Sequence, residues 1–219
     1  MNGIYQYKTD AMQRILHLVS HGYIHYTTGE IPSKKVEALT LKFQDRYRTN
    51  ATRQQRYRNK QKNQANTNLV LWQQDENTVR WWLLVTQGEG LIFDLEKLNN
   101  TANKKTRLQL TGYELLKTPR KDRAAQWTWR MTETTYKHWR LRLISAVRKN
   151  NKELMNQALH SLRRVPGFSE IRKQAFNLHR LAKSDWKRTQ KGEWPYPEVY
   201  IGWRGQFQKT GNSYTQMIK

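Results

Sequence analysis

The sequence predicts an α+β fold: an antiparallel sheet of four or five strands flanked by an N-terminal helical pair and a C-terminal helical bundle. Three observations carry this. Apolar residues recur at helical spacing near both ends of the chain. Short β-branched and aromatic runs, separated by turn residues, fill the middle. Composition then shifts near residue 132 from strand-like to basic and helical. The shift marks a mixed helix/antiparallel-sheet region (1–132), a basic helical region (133–191) and an extended aromatic arm and tail (192–219). One continuous domain fits the pattern equally well.

The elements follow in order. Met12, Ile15, Leu16 and Val19 form one apolar stripe, predicting a helix over 10–20 with Thr9 as N-cap and Gly22 at its end. "YIHYTT" (23–28) reads as a strand closed by Gly29 and Pro32. Ser33 caps a second helix with Val36, Leu39, Phe43 and Tyr47 on one face, and the pattern continues this helix into the basic segment beyond. "NLVLW" (68–72) and "VRWWLLVT" (79–86), separated by "QQDENT", predict a hairpin. "RLQLTGYELL" (107–116) alternates around Gly112, which reads as a bulge. "TPRKDRAAQ" (118–126) reads as a turn, and "QWTWRMT" (126–132) as the last strand. Trp81 and Trp82 point to opposite faces, and Trp127 and Trp129 to the same one. Helices packed on a two-sided apolar sheet explain them, with a base-stacking platform as the alternative.

Beyond Glu133 the period is helical. Tyr136, Trp139, Leu143, Ile144 and Val147 define one helix, and "KELMNQALHSLRR" (152–164) a second, stopped by Pro166-Gly167. Ser169 caps a third, running to Lys191. The segment 192–207, with two prolines and no helical period, reads as an arm that packs by its aromatics and docks on a protein partner.

Charge narrows the function. The 219 residues carry 40 Lys and Arg against 17 Asp and Glu, a net charge of +23. Such an excess repels itself, and a polyanion offsets it, so nucleic acid is the expected partner. The absence of cysteine excludes disulfides, thiolate zinc sites and thiol catalysis. No apolar stretch approaches the ~18 residues of a membrane span, and no signal peptide is legible at the N-terminus, so the expectation is a cytoplasmic or nucleoid-associated protein away from membranes. No nucleotide or cofactor motif is present, and none is expected to bind.

The charge is concentrated. Residues 42–62 hold eight basic groups against Asp45, and residues 137–191 hold fifteen against Glu153, Glu170 and Asp185. Solvated helix faces ordinarily mix signs, because Glu–Lys pairs one turn apart stabilise them. A face without acids therefore points to phosphate. In the first segment the candidate contacts are Arg46, Arg48, Arg53, Arg56, Arg58, Lys60 and Lys62, with Tyr47 and Tyr57 available to stack on an unpaired base. In the second they are Arg163, Arg164, Arg172, Lys173, Arg180, Lys183, Lys187 and Arg188. These predict binding mainly to the phosphate backbone of DNA or RNA, as a subunit or accessory factor of a nucleoprotein complex. No zinc finger or single-strand module is legible; a helix-turn-helix around "RRVPGFSE" is a further alternative with an atypical, proline-containing turn.

The chemical alternative rests on "HLVSHGYIHYTTG". His17, His21 and His25 stand four apart, a metal-ligand spacing on a continuous helix. With Tyr23 as nucleophile, such a site would make a small metal-dependent nuclease or strand-transferase. Gly22 is expected to break the helix and scatter the three. Asp94 and Glu96 offer a weaker acid pair on one strand face, which a solvated edge explains as well.

Overall fold

A computed structural model describes residues 3–190 and 192–203 and the backbone of Tyr214–Thr215. Its described residues hold seven α-helices and two sheets, a mixed α+β fold. They divide into two compact units: one of residues 3–108, 117–127 and 214–215, the other of 109–116 and 128–203. No helix among them is long and apolar enough to cross a membrane.

The first unit is built on β1 (Ile4–Tyr5), α1 (Lys8–Ser20), β2 (His25–Pro32), α2 (Val36–Tyr47), α3 (Arg53–Gln61), β3 (Thr67–Gln73), β4 (Thr78–Val85), α4 (Ile92–Leu95) and β5 (Asn99–Asn100). With β9 (Tyr214–Thr215), its strands form one sheet in the order β5-β2-β4-β3-β1-β9. Its pairings are antiparallel except that β1 runs parallel to β3, pairing Ile4 with Leu71. The β3–β4 hairpin is the predicted one, with Leu69 opposite Leu83 and Leu71 opposite Trp81. Asp75 Oδ1 accepts from the amides of Asn77 and Thr78 and fixes its turn.

Both faces of this sheet are covered. Leu69, Leu71, Leu83 and Val85 pack with Val36, Phe43 and Tyr47 of α2. The alternate residues Val70, Trp82 and Leu84 are just as buried, and α1 packs on β3. Trp81 lies edge-on to Phe43 at 5.3 Å. Its indole also crosses Gly29 on β2, where an added Cβ would stand 2.8 Å from Cζ2. The glycine therefore continues the strand instead of ending it, and β2 runs on to Pro32. Trp72, Trp82 and Trp129 are buried and Trp81 packs partly buried against the core, so these four form no exposed platform; Trp127 is half-buried.

The second unit contains β6 (Gln109–Leu110), the roots of β7 (Tyr113–Arg120) and β8 (Arg123–Met131), and the helices α5 (Glu133–Arg148), α6 (Lys152–Arg163) and α7 (Ser169–Gln190). Gly112 is not a bulge. Thr111 and Gly112, at φ 37° and 80°, form the two-residue turn between β6 and β7. Nor is 118–126 a turn: β7 and β8 continue through it as neighbouring strands, reversing at Lys121–Asp122. Thr132 and Asn151 cap α5 and α6. The α7 side chain of Gln174 satisfies the Met131 backbone, accepting from its N–H (2.7 Å) and donating to its C=O (3.2 Å).

From Gly192 the arm packs on α7. Trp194 and Tyr196 meet Trp186 edge-on at 6.0 and 5.7 Å, and Val199 and Ile201 are buried. Residues 204–207 of the arm lie outside the described residues.

Candidate nucleic-acid interface

The basic segment after Tyr47 is two pieces, not one helix. Arg48 adopts the left-handed conformation (φ 53°) and ends α2. Thr52 then starts α3 with a capping box: its Oγ1 accepts from the Gln55 N–H (3.2 Å), and the Gln55 side chain accepts from the Thr52 N–H (2.7 Å). "TRQQ" is that box, legible in the sequence as Thr-x-x-Gln.

No residue of α3 is buried. A nine-residue helix with no apolar face is unstable alone, so something polar holds it. Arg56 is the centre. It is half-buried, and its guanidinium donates to the carbonyls of Ala51 (2.9 Å) and Thr49 (2.9 Å) and to the Tyr23 hydroxyl (2.8 Å). Asn66, just before β3, donates to the Arg56 carbonyl (3.0 Å) and accepts from Asn59 (3.0 Å). The helix is thus tied to the sheet through one face while the rest of its surface is free for cations. Arg56, predicted as a phosphate contact, is turned inward as this anchor; Lys60, expected on the same face, is exposed.

Arg46, Arg48, Arg53, Arg58, Lys60 and Lys62 are exposed. Among the described residues no carboxylate pairs with Arg48, Arg53, Arg58, Lys60 or Lys62. A shallow depression of about 210 Å³ is lined by Arg48, Arg58 and Lys62 together with Gln55, Asn59 and Gln64. Cations for phosphate and amides for sugar or base edges are here side by side. The sequence already offers the amides of this segment as phosphate, sugar or base-edge contacts, without picking these three; Gln55 and Asn59 lie on α3, and Gln64 follows it. Tyr57 is 64% exposed and free to stack. Tyr47 is buried; its hydroxyl donates to Glu96 (2.7 Å), and burial, then Glu96, push it up to about 12. It belongs to the core.

The second basic surface is more self-paired. Arg163 donates to the Pro197 carbonyl (3.3 Å), and Arg172 to that of Ile201 (2.8 Å). Lys183 pairs with Glu198 (2.6 Å), Lys173 with Glu170 (3.8 Å), and Arg188 with Asp185, which Arg148 also reaches (3.2 Å). Arg180 bonds Asn177 (2.6 Å). Arg164 and Lys187 are exposed. One open feature stands out: a groove of about 370 Å³ lined by Arg172, Lys173, Phe176, Asn177, Arg180 and Trp203. The Arg172 guanidinium lies 3.8 Å from the Trp203 ring centroid, and Trp203 remains 69% exposed. Neither Phe176 nor Trp203 was singled out from the sequence: Trp203 lies far along the chain from Arg172, while Phe176, one helical turn beyond it on α7, was there to be read.

The histidines scatter. Gly22 (φ 95°) follows the end of α1. His17 and His21 stay close, ring centroids 4.2 Å apart, with His21 Nδ1 donating to the His17 carbonyl (2.7 Å). His25 lies on β2 against Phe93 (5.6 Å). Burial holds His17 and His25 below the ordinary imidazole value, helped at His17 by the charges of His21 and Arg14. Tyr23 is buried with its hydroxyl occupied by Arg56. Asp94 sits in α4, not on a strand, and Glu96 holds Tyr47. Among the described residues, no three or more His, Cys, Asp or Glu are grouped to hold a metal ion.

No protein-family model, no curated protein and no solved structure matches this chain.

Proposed function

We propose that the protein binds nucleic acid, chiefly through the phosphate backbone, as a subunit or accessory factor of a nucleoprotein complex, acting in the cytoplasm or on the nucleoid. One observation carries the reading. The helix α3 is held by a hydrogen-bonded anchor rather than an apolar face, and its outer cations have no acidic partners among the described residues. The fold keeps a dense positive surface at the cost of self-repulsion, which makes physical sense opposite a polyanion. Tyr200, 74% exposed on an arm that packs down through Tyr196, Val199 and Ile201, suits a protein neighbour in the same complex.

A salt titration of binding to single- and double-stranded DNA and RNA tests this. If Arg48, Arg53, Arg58, Lys60 and Lys62 each meet a phosphate, log K falls against log salt with a slope of about −4.5 on duplex DNA and about −3.5 on a single strand. The combined variant Arg53→Glu, Arg58→Glu, Lys60→Glu is expected to weaken every sequence about equally without unfolding the protein. A wild-type protein that ignores all four ligands at cellular ionic strength overturns the proposal.

A further inference from the structure

The strands β7 and β8 carry a feature that belongs to neither basic surface described above. From Lys117 to Gln126 every residue is exposed except Thr118, which is half-exposed. Side chains alternate between faces along a strand, so both faces of this two-stranded ribbon are bare. Thr118 Oγ1 donates to the Gln126 carbonyl across it (3.3 Å), and Asp122 (φ 59°) turns its tip. A two-stranded hairpin without a covered face is marginal in water, so a bare one is better understood as waiting for a surface. Charges and Pro119 on open strands guard against edge-to-edge pairing, but edge protection does not require both faces to be stripped. The ribbon carries Lys117, Arg120, Lys121 and Arg123 against the single acid Asp122. Its faces otherwise offer only small or uncharged groups, Ala124 and Ala125 among them.

We propose that the ribbon of residues 117–126 inserts into the major groove of duplex DNA, with Arg120, Lys121 and Arg123 reaching phosphates and base edges. Its strands lie about 4.8 Å apart. A two-stranded ribbon fits the B-form major groove, about 12 Å wide, while the minor groove, about 6 Å, is too narrow. The A-form major groove of duplex RNA does not admit it either. Bare alanines allow close approach to base edges, including the thymine methyl. This rests on the nucleic-acid reading above, and the two fail separately.

The test uses the full chain and its Arg120→Ala, Lys121→Ala, Arg123→Ala variant. All three side chains are exposed, so the melting temperature is expected to be unchanged. Fluorescence anisotropy is read with a 30-base-pair DNA duplex, the matching RNA duplex and a single strand. The variant is expected to bind the DNA duplex about a hundredfold more weakly at 0.15 M salt, three counterion releases of about 0.9 each. On the other two ligands it is expected to stay within about threefold of wild type, since neither offers a groove for the ribbon. Wild type is also expected to protect guanine N7, a major-groove atom, from dimethyl sulfate, and the variant to lose that protection. An equal loss on all three ligands overturns groove insertion in favour of diffuse charge. An unchanged DNA affinity or unchanged N7 protection overturns the ribbon's part altogether while leaving the α3 reading in place. A wild type that binds none of the three overturns both.

Discussion

Arg56→Met separates holding the interface from being the interface. Methionine keeps the hydrocarbon stem and removes every donor. Three hydrogen bonds vanish, to Ala51, Thr49 and Tyr23. Bonds of this kind contribute about 1 kcal/mol each, and acceptors left unpaired add a further penalty. Thr49 is only 1% exposed, so water does not easily replace the guanidinium at that residue. The total is about 3–4 kcal/mol, or roughly 10 °C in melting temperature for a protein of this size. Arg58→Met, by contrast, alters an exposed side chain, and surface changes stay within about 0.5 kcal/mol. Thermal unfolding followed by circular dichroism, with salt-dependent binding measured on the same samples below the transition, reads both effects. Arg56→Met should melt early yet keep much of its affinity where folded. Arg58→Met should melt normally and bind weakly. If Arg56→Met melts within about 2 °C of wild type, a range that surface substitutions already cover, the guanidinium is not what holds α3.

Three further outcomes follow from the geometry. Gly88 has φ 139°, and an added Cβ would stand 2.8 Å from both the Ala65 amide and the Asn63 carbonyl; Gly88→Ala is expected to cost about 3 kcal/mol, seen as a lower urea midpoint. Trp203→Ala removes the exposed indole stacked on Arg172; if bases stack there, single-strand affinity drops by about 1–3 kcal/mol while duplex affinity holds, checked by anisotropy on both ligands. Burial pushes the Asp185 carboxyl up, but hydrogen bonds and charges from Arg188 and Arg148 more than offset this and hold it below its ordinary value of 3.8. A depressed carboxyl stabilises the fold above its unfolded value and loses that contribution as pH falls through its folded value. Asp185→Asn should therefore be less stable than wild type near neutrality, with the gap closing in denaturant titrations as pH falls through the lowered folded value of Asp185.

Much of the fold is legible because patterns there are redundant. The β3–β4 hairpin reads from its apolar runs, since both faces are buried and every position agrees. The helices α5 to α7 read from their spacing and from Pro166-Gly167. Other elements carry no such pattern. β1 is two residues, and its partner Leu71 lies far along the chain. The ribbon 117–126 lacks alternation because neither face is buried, so it reads as a turn. The break at Arg48 is a backbone conformation that arginine rarely adopts, although the Thr52–Gln55 box beyond it was there to be read. Positive charge on α3 is plain in the sequence; which arginine is the anchor is not. Arg56 differs from Arg53 and Arg58 only through acceptors, one of them Tyr23 in the distant link between α1 and β2.

The placement of acids says more than the excess of bases. Among the described residues, Glu30, Glu114, Glu133, Glu170, Asp185 and Glu198 form ion pairs, and no acid pairs with a cation of α3 or the 117–126 ribbon. If that vacancy serves binding, filling it should help the fold and hurt the function. Gln54→Glu makes the trial. Residue 54 is exposed in the first turn of α3, one turn before Arg58. A glutamate there meets the positive end of the helix dipole and pairs with Arg58 across i,i+4, together about 0.5–1 kcal/mol of stabilisation. The same carboxylate holds one cation back from phosphate and repels the backbone itself. Melting temperature should rise by about 1–3 °C, while affinity for duplex DNA falls and the salt slope flattens by about 1–2. A variant that gains stability and binds as tightly as wild type would mean that α3 is an ordinary solvated helix, and that its lack of acids has nothing to do with nucleic acid.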